Sequence, residues 1–322
     1  MRHRTGLVVL ALILLLMAGS AATLGWPPLG ASGDRVFWLL RFPRVLMALG
    51  VGAALALSGA VLQALFRNPL ASPLTLGVAG GAAFGGTVAL VLGWSPTWVG
   101  LPGYTLLATL GALVALALSY RIAWIQGQVH TPVLLLAGVV LNFLFAALVM
   151  ALQYLADYTR TFETVRWLMG SLAVVGLEPP LFAGLIILIV AGFLWAQAPV
   201  LDLLSQGEEV AHALGVSVPT ATTRLFLAVS LLVGSTLALT GPIGFVGLVV
   251  PHLLRLLVGP AHRRLVPLTL LGGAALLVAA DALARLALYP VELPVGVITG
   301  LLGAPYFLWL LWREGHGRGR GF

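Results

Sequence analysis

The chain has 322 residues, of which 60% are hydrophobic and only 8% are charged, and its formal net charge is +7. A soluble domain carries about 25% charged residues, so this composition excludes an ordinary soluble fold and indicates a polytopic membrane protein. The sequence contains no cysteine and no lysine. Their absence excludes disulfides, thiolate metal sites and any ATPase or enzyme that depends on a P-loop or Schiff-base lysine.

Apolar segments of about 16–24 residues, the length that crosses a bilayer as a helix, recur along the whole chain. Glycine, proline and charged residues separate these segments. The pattern predicts an all-α fold with about ten transmembrane helices in a single domain, 1–322. The predicted spans are 7–25, 43–65, 73–92, 102–121, 132–155, 178–197, 222–241, 243–258, 265–287 and 295–312.

The first of these segments also fits a second interpretation. Basic residues at its start, an apolar core and the small residues "MAGSAA" (17–22) are typical of a signal peptide that is removed from the mature protein. The sequence leaves a membrane span and a cleaved leader both open.

The distribution of arginine predicts the orientation of the chain. With the N-terminus inside, eleven arginines fall on cytoplasmic segments and six on outer segments. Positive residues prefer the cytoplasmic side of a membrane, so we expect both termini to be inside. This bias also explains the +7 charge better than a nucleic-acid partner does.

Arg41 and Arg44 flank Pro43 at the start of the second predicted span. Proline suits the first turn of a helix, but the positive end of the helix dipole disfavours cations there. This end of the span is also predicted to face outside. Two arginines that oppose both the helix dipole and the positive-inside bias indicate a functional role. The alternative is that both side chains extend to lipid headgroups.

A few small and polar residues inside the spans indicate helix contacts. Gly81 and Gly85 form a G-x-x-x-G pair, which favours close packing within the chain over a dedicated dimer motif. Asn142 lies in the middle of the fifth span, where a helix–helix hydrogen bond and the lining of a pathway both fit. Asp281 and Arg285 are spaced i,i+4 and predict an ion pair.

The predicted cytoplasmic loop 201–221 is the longest and most polar cytoplasmic loop. Ser205 followed by Glu208 fits a capping box that starts a short helix, and Gly215 fits the C′ residue that ends it. The pattern predicts a short surface helix beneath the membrane, with an ordinary solvated loop as the alternative.

Two similar pentapeptides lie in spans of opposite direction. "LALSG" (55–59) belongs to an out-to-in span and "LALTG" (237–241) ends an in-to-out span. An inverted internal repeat would give this arrangement, although five residues also match by chance.

Five stretches together resemble the FecCD-type permease subunits of type II ABC importers, which take up iron complexes, haem and vitamin B12. They cover nearly the whole chain in the order typical of that family. The stretches are "RFPRVLMALGVGAALALSGAVLQALFRNPLASPLTLGVAGGAAFGG" (41–86), "LLLAGVVLNFLF" (134–145), "RWLMGSL" (166–172), "GPIGFVGLVVPHLLRLLVGPAHRRLVP" (241–267) and "ELPVGVITGLLGAPYFLWLL" (292–311).

The resemblance implies a transport subunit, not an enzyme, that works as a homodimer in the bacterial cytoplasmic (inner) membrane. Its expected partners are a second copy, two ATP-binding cassette subunits that bind ATP and Mg²⁺, a periplasmic or lipid-anchored substrate-binding protein, and membrane lipid. No cofactor, metal or nucleic acid is expected on this chain. The implied substrate is an iron complex (siderophore or haem) or cobalamin, moved by alternating access.

The resemblance also assigns expected roles to single positions. The residues expected to dock the binding protein are Arg41, Arg44 and Arg285. Within loop 201–221, the residues expected to contact the ATPase subunit are Glu208, Glu209, Ala211, Leu214 and Gly215. The residues expected to line or gate the pathway are Gly80, Gly81, Thr131, Pro132, Asn142, Gln153 and Tyr154. Pro132 stands where the family can place a second Ser or Thr, and a short helix is expected in the periplasmic loop 156–177.

Two other function classes compete with an importer permease. A secondary transporter driven by an ion gradient needs titratable or ion-binding residues at mid-membrane, and Asp281 is the carboxylate placed inside a span. An intramembrane enzyme needs a catalytic constellation, and the sequence contains neither H-E-x-x-H nor G-x-S-x-G. His252 has no second ligand at i+3 or i+4, which favours packing over metal binding.

Overall fold

The computed structural model describes residues 19, 33–94, 96–98, 101–125 and 128–317. Its helices are α1 (Gly33–Val36), α2 (Phe42–Leu65), α3 (Val78–Val91), α4 (Tyr104–Ala123), α5 (Thr131–Leu155), α6 (Tyr158–Leu168), α7 (Glu178–Ala196), α8 (Ala198–Gln206), α9 (Glu208–Ala213), α10 (Val218–Thr240), α11 (Val246–Val258), α12 (His262–Leu286) and α13 (Val295–Gly317). A π-helical turn (Phe37–Arg41) joins α1 to α2, and a 3₁₀ turn (Pro73–Leu76) precedes α3. Two antiparallel pairs lie in loops, β1 (Thr97–Trp98) with β2 (Leu101–Pro102) and β3 (Trp124–Ile125) with β4 (Gln128–Val129).

The structure confirms an all-α protein of the polytopic membrane class. Within the described ranges, six helices are long and apolar enough to cross a membrane, and three shorter apolar helices accompany them. Each predicted span from residue 43 onwards coincides with an apolar helix, and the segment 7–25 lies outside the described residues. The span predicted at 73–92 is corrected to a shorter helix, because the chain turns at Gly77 with a φ of +81° before α3 begins.

Helix α2 lies at the centre of the bundle and packs against α7, α10, α11 and α12. Its approach to α12 is a backbone contact, since a Cβ added at Gly52 or Gly273 would lie 2.2 Å from the carbonyl oxygen of the other glycine. With no side chain between the two helices, charged residues at the start of α2 and the end of α12 come within reach of one another.

Helices α3 and α4 also meet through glycine. A Cβ at Gly81 would lie 2.3 Å from the carbonyl oxygen of Gly111, and one at Gly85 would lie 2.0 Å from that of Leu107. The G-x-x-x-G pair therefore packs within this chain, which is the interpretation that the sequence favours.

The order of helix lengths in the first half recurs in the second. Helices α2–α5 have 24, 14, 20 and 25 residues, and α10–α13 have 23, 13, 25 and 23. The two series begin at opposite ends of the bundle, because Phe66 after α2 contacts Phe226 near the start of α10, with ring centroids 6.5 Å apart. The two pentapeptides do not mark this repeat, since 55–59 lies inside α2 while 237–241 ends α10.

The loop predicted at 201–221 contains the end of α8, all of α9 and the start of α10. The predicted capping box is wrong, because Ser205 belongs to the last turn of α8 and its hydroxyl donates to the carbonyl of Asp202 at 2.7 Å. Gly207 occupies the N-cap of α9 instead. Gly215 is the C′ residue as predicted, with a φ of +86°, and the amides of Gly215 and Val216 donate back to the end of α9.

The segment 156–177 contains helix α6. The Asp157 side chain accepts a hydrogen bond from the amide of Arg160 at 2.9 Å and so caps the start of this helix.

Candidate functional site

A charged cluster lies where α2 begins and α12 ends, at the end of the bundle that the sequence predicts to be outside. We define it as Arg41, Arg44, Asp281, Arg285 and Glu292. Asp281 is only 1% exposed; its Oδ1 accepts a hydrogen bond from Nε of Arg44 at 2.8 Å, and its Oδ2 lies 3.2 Å from Nε of Arg285 in an ion pair. Nη1 of Arg44 also lies 2.6 Å from Oε2 of Glu292. One buried carboxylate thus faces two guanidinium groups, and one of these reaches a second carboxylate.

The chain folds back after α12 to bring Glu292 into this cluster. Leu288 pairs with Val291 in an antiparallel bridge, and the amide of Leu293 donates to the carbonyl of Ala284 at 3.0 Å. This reversal carries Glu292 from the end of α12 to the start of α2, three residues before α13 begins.

The predicted Asp281–Arg285 ion pair is confirmed, but the three arginines are not an exposed cationic rim. The exposed fraction is 7% for Arg41, 15% for the Arg44 side chain and 9% for that of Arg285. The Glu292 side chain, at 55%, is the well exposed member. Sequence reasoning missed Glu292 because its partner is 248 residues away. The docking role of the arginines stays a prediction, with carboxylates already bound to two of them.

The predicted ATPase contact lies at the opposite end, on α9. Glu208, Glu209 and Gly215 are exposed, and Leu214 is 63% exposed. Ala211 is completely buried, so it anchors α9 to the body of the chain and leaves any partner contact to its exposed neighbours. A cavity of about 570 Å³ separates the start of α9 from Arg67, His130 and the first turn of α5 at Pro132.

Two polar contacts fix the helices around α9. Oδ1 of Asp202 on α8 lies 2.7 Å from Nδ1 of the buried His262 and accepts the backbone amide of His262 at 2.8 Å. Nη1 of Arg255 on α11 donates to Oε1 of Gln63 on α2 at 3.1 Å. Asp202 thereby ties α8 to the first residue of α12, which is the helix that carries Asp281 at its far end.

The predicted pathway residues lie in three parts of the structure, and the first is the contact between α5 and α3. Asn142 holds α5 to the start of α3, because its Oδ1 accepts the amide of Gly80 at 3.1 Å and its Nδ2 donates to the carbonyl of Leu74 at 2.6 Å. This confirms the helix–helix hydrogen bond that the sequence left open beside pathway lining.

The remaining pathway residues lie elsewhere. Gly81 faces α4. Thr131 and Pro132 begin α5, beside the cavity near α9, and Gln153 and Tyr154 lie at the other end of that helix. Tyr154 is 89% exposed. The role of all seven residues in a pathway stays a prediction.

A cavity at the same end of the bundle was missed by sequence reasoning. A cavity of about 690 Å³ lies between the end of α3, the start of α4 and α6, with Trp94, Tyr104, Asp157, Arg160 and Glu163 on its walls. Arg160 pairs with Asp157 at 3.2 Å and donates to the carbonyl of Val91. The i,i+3 spacing of Asp157 and Arg160 was the available signal in the sequence.

Comparison with known proteins agrees with this architecture. Residues 7–313 match the model of the FecCD transport family. The hemin transport system permease protein HmuU of Yersinia pestis is 44% identical over 280 residues, which cover 86% of this chain and 83% of that protein. The vitamin B12 import system permease protein BtuC of Klebsiella pneumoniae is 41% identical over 321 residues, which cover 98% and 94%.

Solved structures show the same fold. An inward-facing metal-chelate type ABC transporter superposes with a TM-score of 0.86 at 39% identity, over 97% of this chain and 99% of that chain. PsaBC from Streptococcus pneumoniae superposes with a TM-score of 0.59 at 19% identity, over 82% and 88%, which shows a shared fold alone. The extent of the family match and the identity to full-length permeases place this chain in the FecCD transport family.

Proposed function

We propose that this chain is the membrane-spanning permease subunit of a binding-protein-dependent type II ABC importer in the bacterial inner membrane. The observation that carries the proposal is the family match over residues 7–313, together with relatives that align along most of the chain. The named relatives transport hemin and vitamin B12, at 44% and 41% identity. We therefore propose a metal chelate as substrate, either an iron complex such as haem or a siderophore, or cobalamin.

The proposed mechanism is alternating access without chemistry in this chain. Two copies form the central pathway, and two separate ATPase subunits bind ATP, because a chain without lysine has no P-loop of its own. The recurrence of helix lengths in opposite directions supports this mechanism, since inverted repeats supply two related halves that can rock against each other. ATP and the loaded binding protein would bias the states by binding one more tightly than the other.

The two charged ends support two contact surfaces. The exposure of Glu208 and Glu209 on α9 supports a contact with the ATPase subunit there, and the charge of the cluster at the start of α2 supports a contact with the binding protein. At the α9 end, the Arg255–Gln63 and Asp202–His262 contacts hold α11 to α2 and α8 to α12.

The structure disfavours a secondary transporter. Asp281 lies near the end of α12, not at its middle, and two arginines hold its carboxylate. A carboxylate paired in this way is a poor proton or cation carrier, because releasing it would leave buried guanidinium groups without a counter-charge.

Uptake by reconstituted vesicles tests the proposal. The chain is co-purified with its ATPase subunit, placed in liposomes with the binding protein, and supplied with labelled haemin or labelled cobalamin. We expect uptake of one chelate that requires ATP and persists when the proton gradient is dissipated. Uptake that needs the proton gradient and proceeds without the ATPase would refute the importer.

A further inference from the structure

The two carboxylates bound to Arg44 differ in their surroundings. Asp281 is 1% exposed and approaches Nε of Arg44 at 2.8 Å, whereas Glu292 is 55% exposed and approaches Nη1 at 2.6 Å. Asp281 belongs to a long helix that contacts α2 backbone to backbone, and Glu292 belongs to the loop between α12 and α13. Arg44 thus has one carboxylate on its buried side and one on its solvent side.

These surroundings determine which pair can exchange. A buried ion pair is hard to break, because removal of one partner leaves the other charge without solvent or counter-ion. An exposed pair contributes little net stability, since water solvates both groups when they separate. A guanidinium also offers a planar fork that any carboxylate of suitable position can bind. Glu292 is therefore the exchangeable ligand of Arg44.

We propose that Glu292 is an internal substitute for a carboxylate of the substrate-binding protein. In the undocked permease Glu292 occupies the solvent side of Arg44, and on docking an Asp or Glu of the partner displaces it. This inference rests on the proposed function, because it assumes that the charged cluster is the docking surface. It specifies the partner's chemistry at this point as a single carboxylate that reaches Nη1 of Arg44.

The exchange has two physical consequences. Arg44 keeps a carboxylate on its solvent side before and after docking. Its guanidinium is therefore paired with two carboxylates in both states. The displaced Glu292 lies three residues before the first residue of α13, Val295. Its movement therefore acts on the loop that enters α13, and this connects docking with a membrane-spanning segment.

Charge reversal of Arg44 is a poor test, because it also removes the partner of buried Asp281. Variants of Glu292 leave that pair intact. Glu292→Gln removes the competing charge, and Glu292→Asp keeps the charge while withdrawing the carboxylate by one methylene from Nη1. Glu178→Gln is the matched control, because Glu178 is an exposed acid at the same end of the bundle. The hydrogen bond from the amide of nearby Gly176 to the carbonyl of Leu39 places it close to the start of α2.

The experiment measures the Kd of the importer's own substrate-binding protein for the permease–ATPase complex in lipid nanodiscs, at low and at physiological salt. We expect both Glu292 variants to bind more tightly than wild type, by up to about fivefold, and more tightly than Glu178→Gln. Thermal unfolding of each variant confirms that it is folded. The two variants test the same prediction in different ways, since one removes the charge of Glu292 and the other moves it.

The outcomes separate this inference from the proposed function. Tighter binding by both Glu292 variants, beyond the effect of Glu178→Gln, supports the substitution. Unchanged or weaker binding by either folded variant, or an equal gain in Glu178→Gln, overturns it and leaves the docking of a binding protein standing. A wild-type complex that does not bind the substrate-binding protein at all overturns the proposed function and the inference with it.

Discussion

Asp281 is the central carboxylate of the charged cluster at the start of α2. Its carboxylate is nearly inaccessible to solvent and lies within 3.2 Å of two guanidinium nitrogens, one on α2 and one on its own helix. Burying a charged group is unfavourable unless it faces an opposite charge, and Asp281 is the buried carboxylate that both arginines face. This arrangement differs from the Asp157–Arg160 pair on α6, whose side chains are 60% and 39% exposed.

Loss of the Asp281 charge is expected to destabilise the protein strongly. Asp281→Asn leaves Arg44 and Arg285 facing a neutral amide in a buried site, which we expect to cost about 3–5 kcal/mol of unfolding free energy. The matched change Asp157→Asn removes an exposed pair and should cost about 0–1 kcal/mol. Thermal unfolding in detergent, followed by tryptophan fluorescence, compares the two. Equal shifts in Tm would contradict the assignment of Asp281 as the central counter-charge.

At the scale of elements, glycine determines how closely the helices approach. The contacts of α2 with α12 and of α3 with α4 place backbone against backbone: Gly52 faces Gly273 and Gly81 faces Gly111, whereas at Gly85 only α3 lacks a Cβ. In a membrane, where lipid tails are as apolar as leucine, such close packing is a main source of helix association. By contrast, a Cβ at Gly184 in α7 would have no neighbour within 4 Å.

This contrast predicts opposite effects of the same substitution. Gly85→Ala places a methyl group 2.0 Å from the carbonyl oxygen of Leu107, so α3 and α4 must separate, at a cost of about 1–3 kcal/mol. Gly184→Ala meets open space and should stabilise its helix by about 0.5–1 kcal/mol. Melting curves of the two variants test this, and a loss of stability in both would argue against glycine-mediated contact at Gly85 in particular.

Helix α9 combines an anchor with an exposed surface. Ala211 is buried and Gly215 ends the helix with a positive φ, while Glu208 and Glu209 extend from its first turn into solvent. Acidic residues in the first turn are favoured by the helix dipole, so they also help α9 to form. The anchor and the surface can therefore be changed separately.

The double variant Glu208→Arg with Glu209→Arg tests the surface. Both side chains are exposed, so we expect the variant to fold, with a slightly lower melting temperature because arginine is unfavourable in the first turn of a helix. We expect it to lose ATPase co-purification and transport, because complementary charge across an interface turns into repulsion on reversal. Glu178→Arg, an exposed acid at the other end, is the control and should retain the ATPase subunit. Normal co-purification of the double variant would remove α9 from the proposed interface.

At the scale of the whole molecule, polar and charged contacts lie at the two ends of the bundle. Helix α2, with 24 residues, is about 36 Å long and runs from the charged cluster to Gln63 near the opposite end. Helix α12 runs the other way, from the Asp202–His262 contact to Asp281. The bundle therefore has two polar ends joined by an apolar body of about membrane thickness.

The orientation of these ends can be measured directly. Because the chain contains no cysteine, single substitutions report accessibility without background labelling. We expect Glu178→Cys to react with an impermeant maleimide on intact spheroplasts, and Glu209→Cys to react only after permeabilisation, since eleven of seventeen arginines lie on the predicted cytoplasmic side. The reverse labelling pattern would invert the assigned topology and with it both proposed contact surfaces.

The sequence by itself determined the membrane class, the positions of the apolar helices from residue 43 onwards, apart from the start of α3, and the family. These follow from features of short stretches of chain, namely the length of apolar runs, the residues that interrupt them and motifs of consecutive residues. Local spacing also predicted the Asp281–Arg285 pair and the C′ glycine at Gly215, because i,i+4 neighbours and helix ends are set within one or two turns.

Only the tertiary structure decided what surrounds the predicted functional residues. Arg44 meets Asp281 across 237 residues and Glu292 across 248, and the amide of Asn142 finds partners 62 and 68 residues away. Ala211 turned out to be an anchor, since burial depends on what packs against α9. Such contacts arise from the approach of distant helices, which local patterns do not encode. For that reason the sequence predicted arginines at the outer end, and the fold determined that carboxylates already hold two of them.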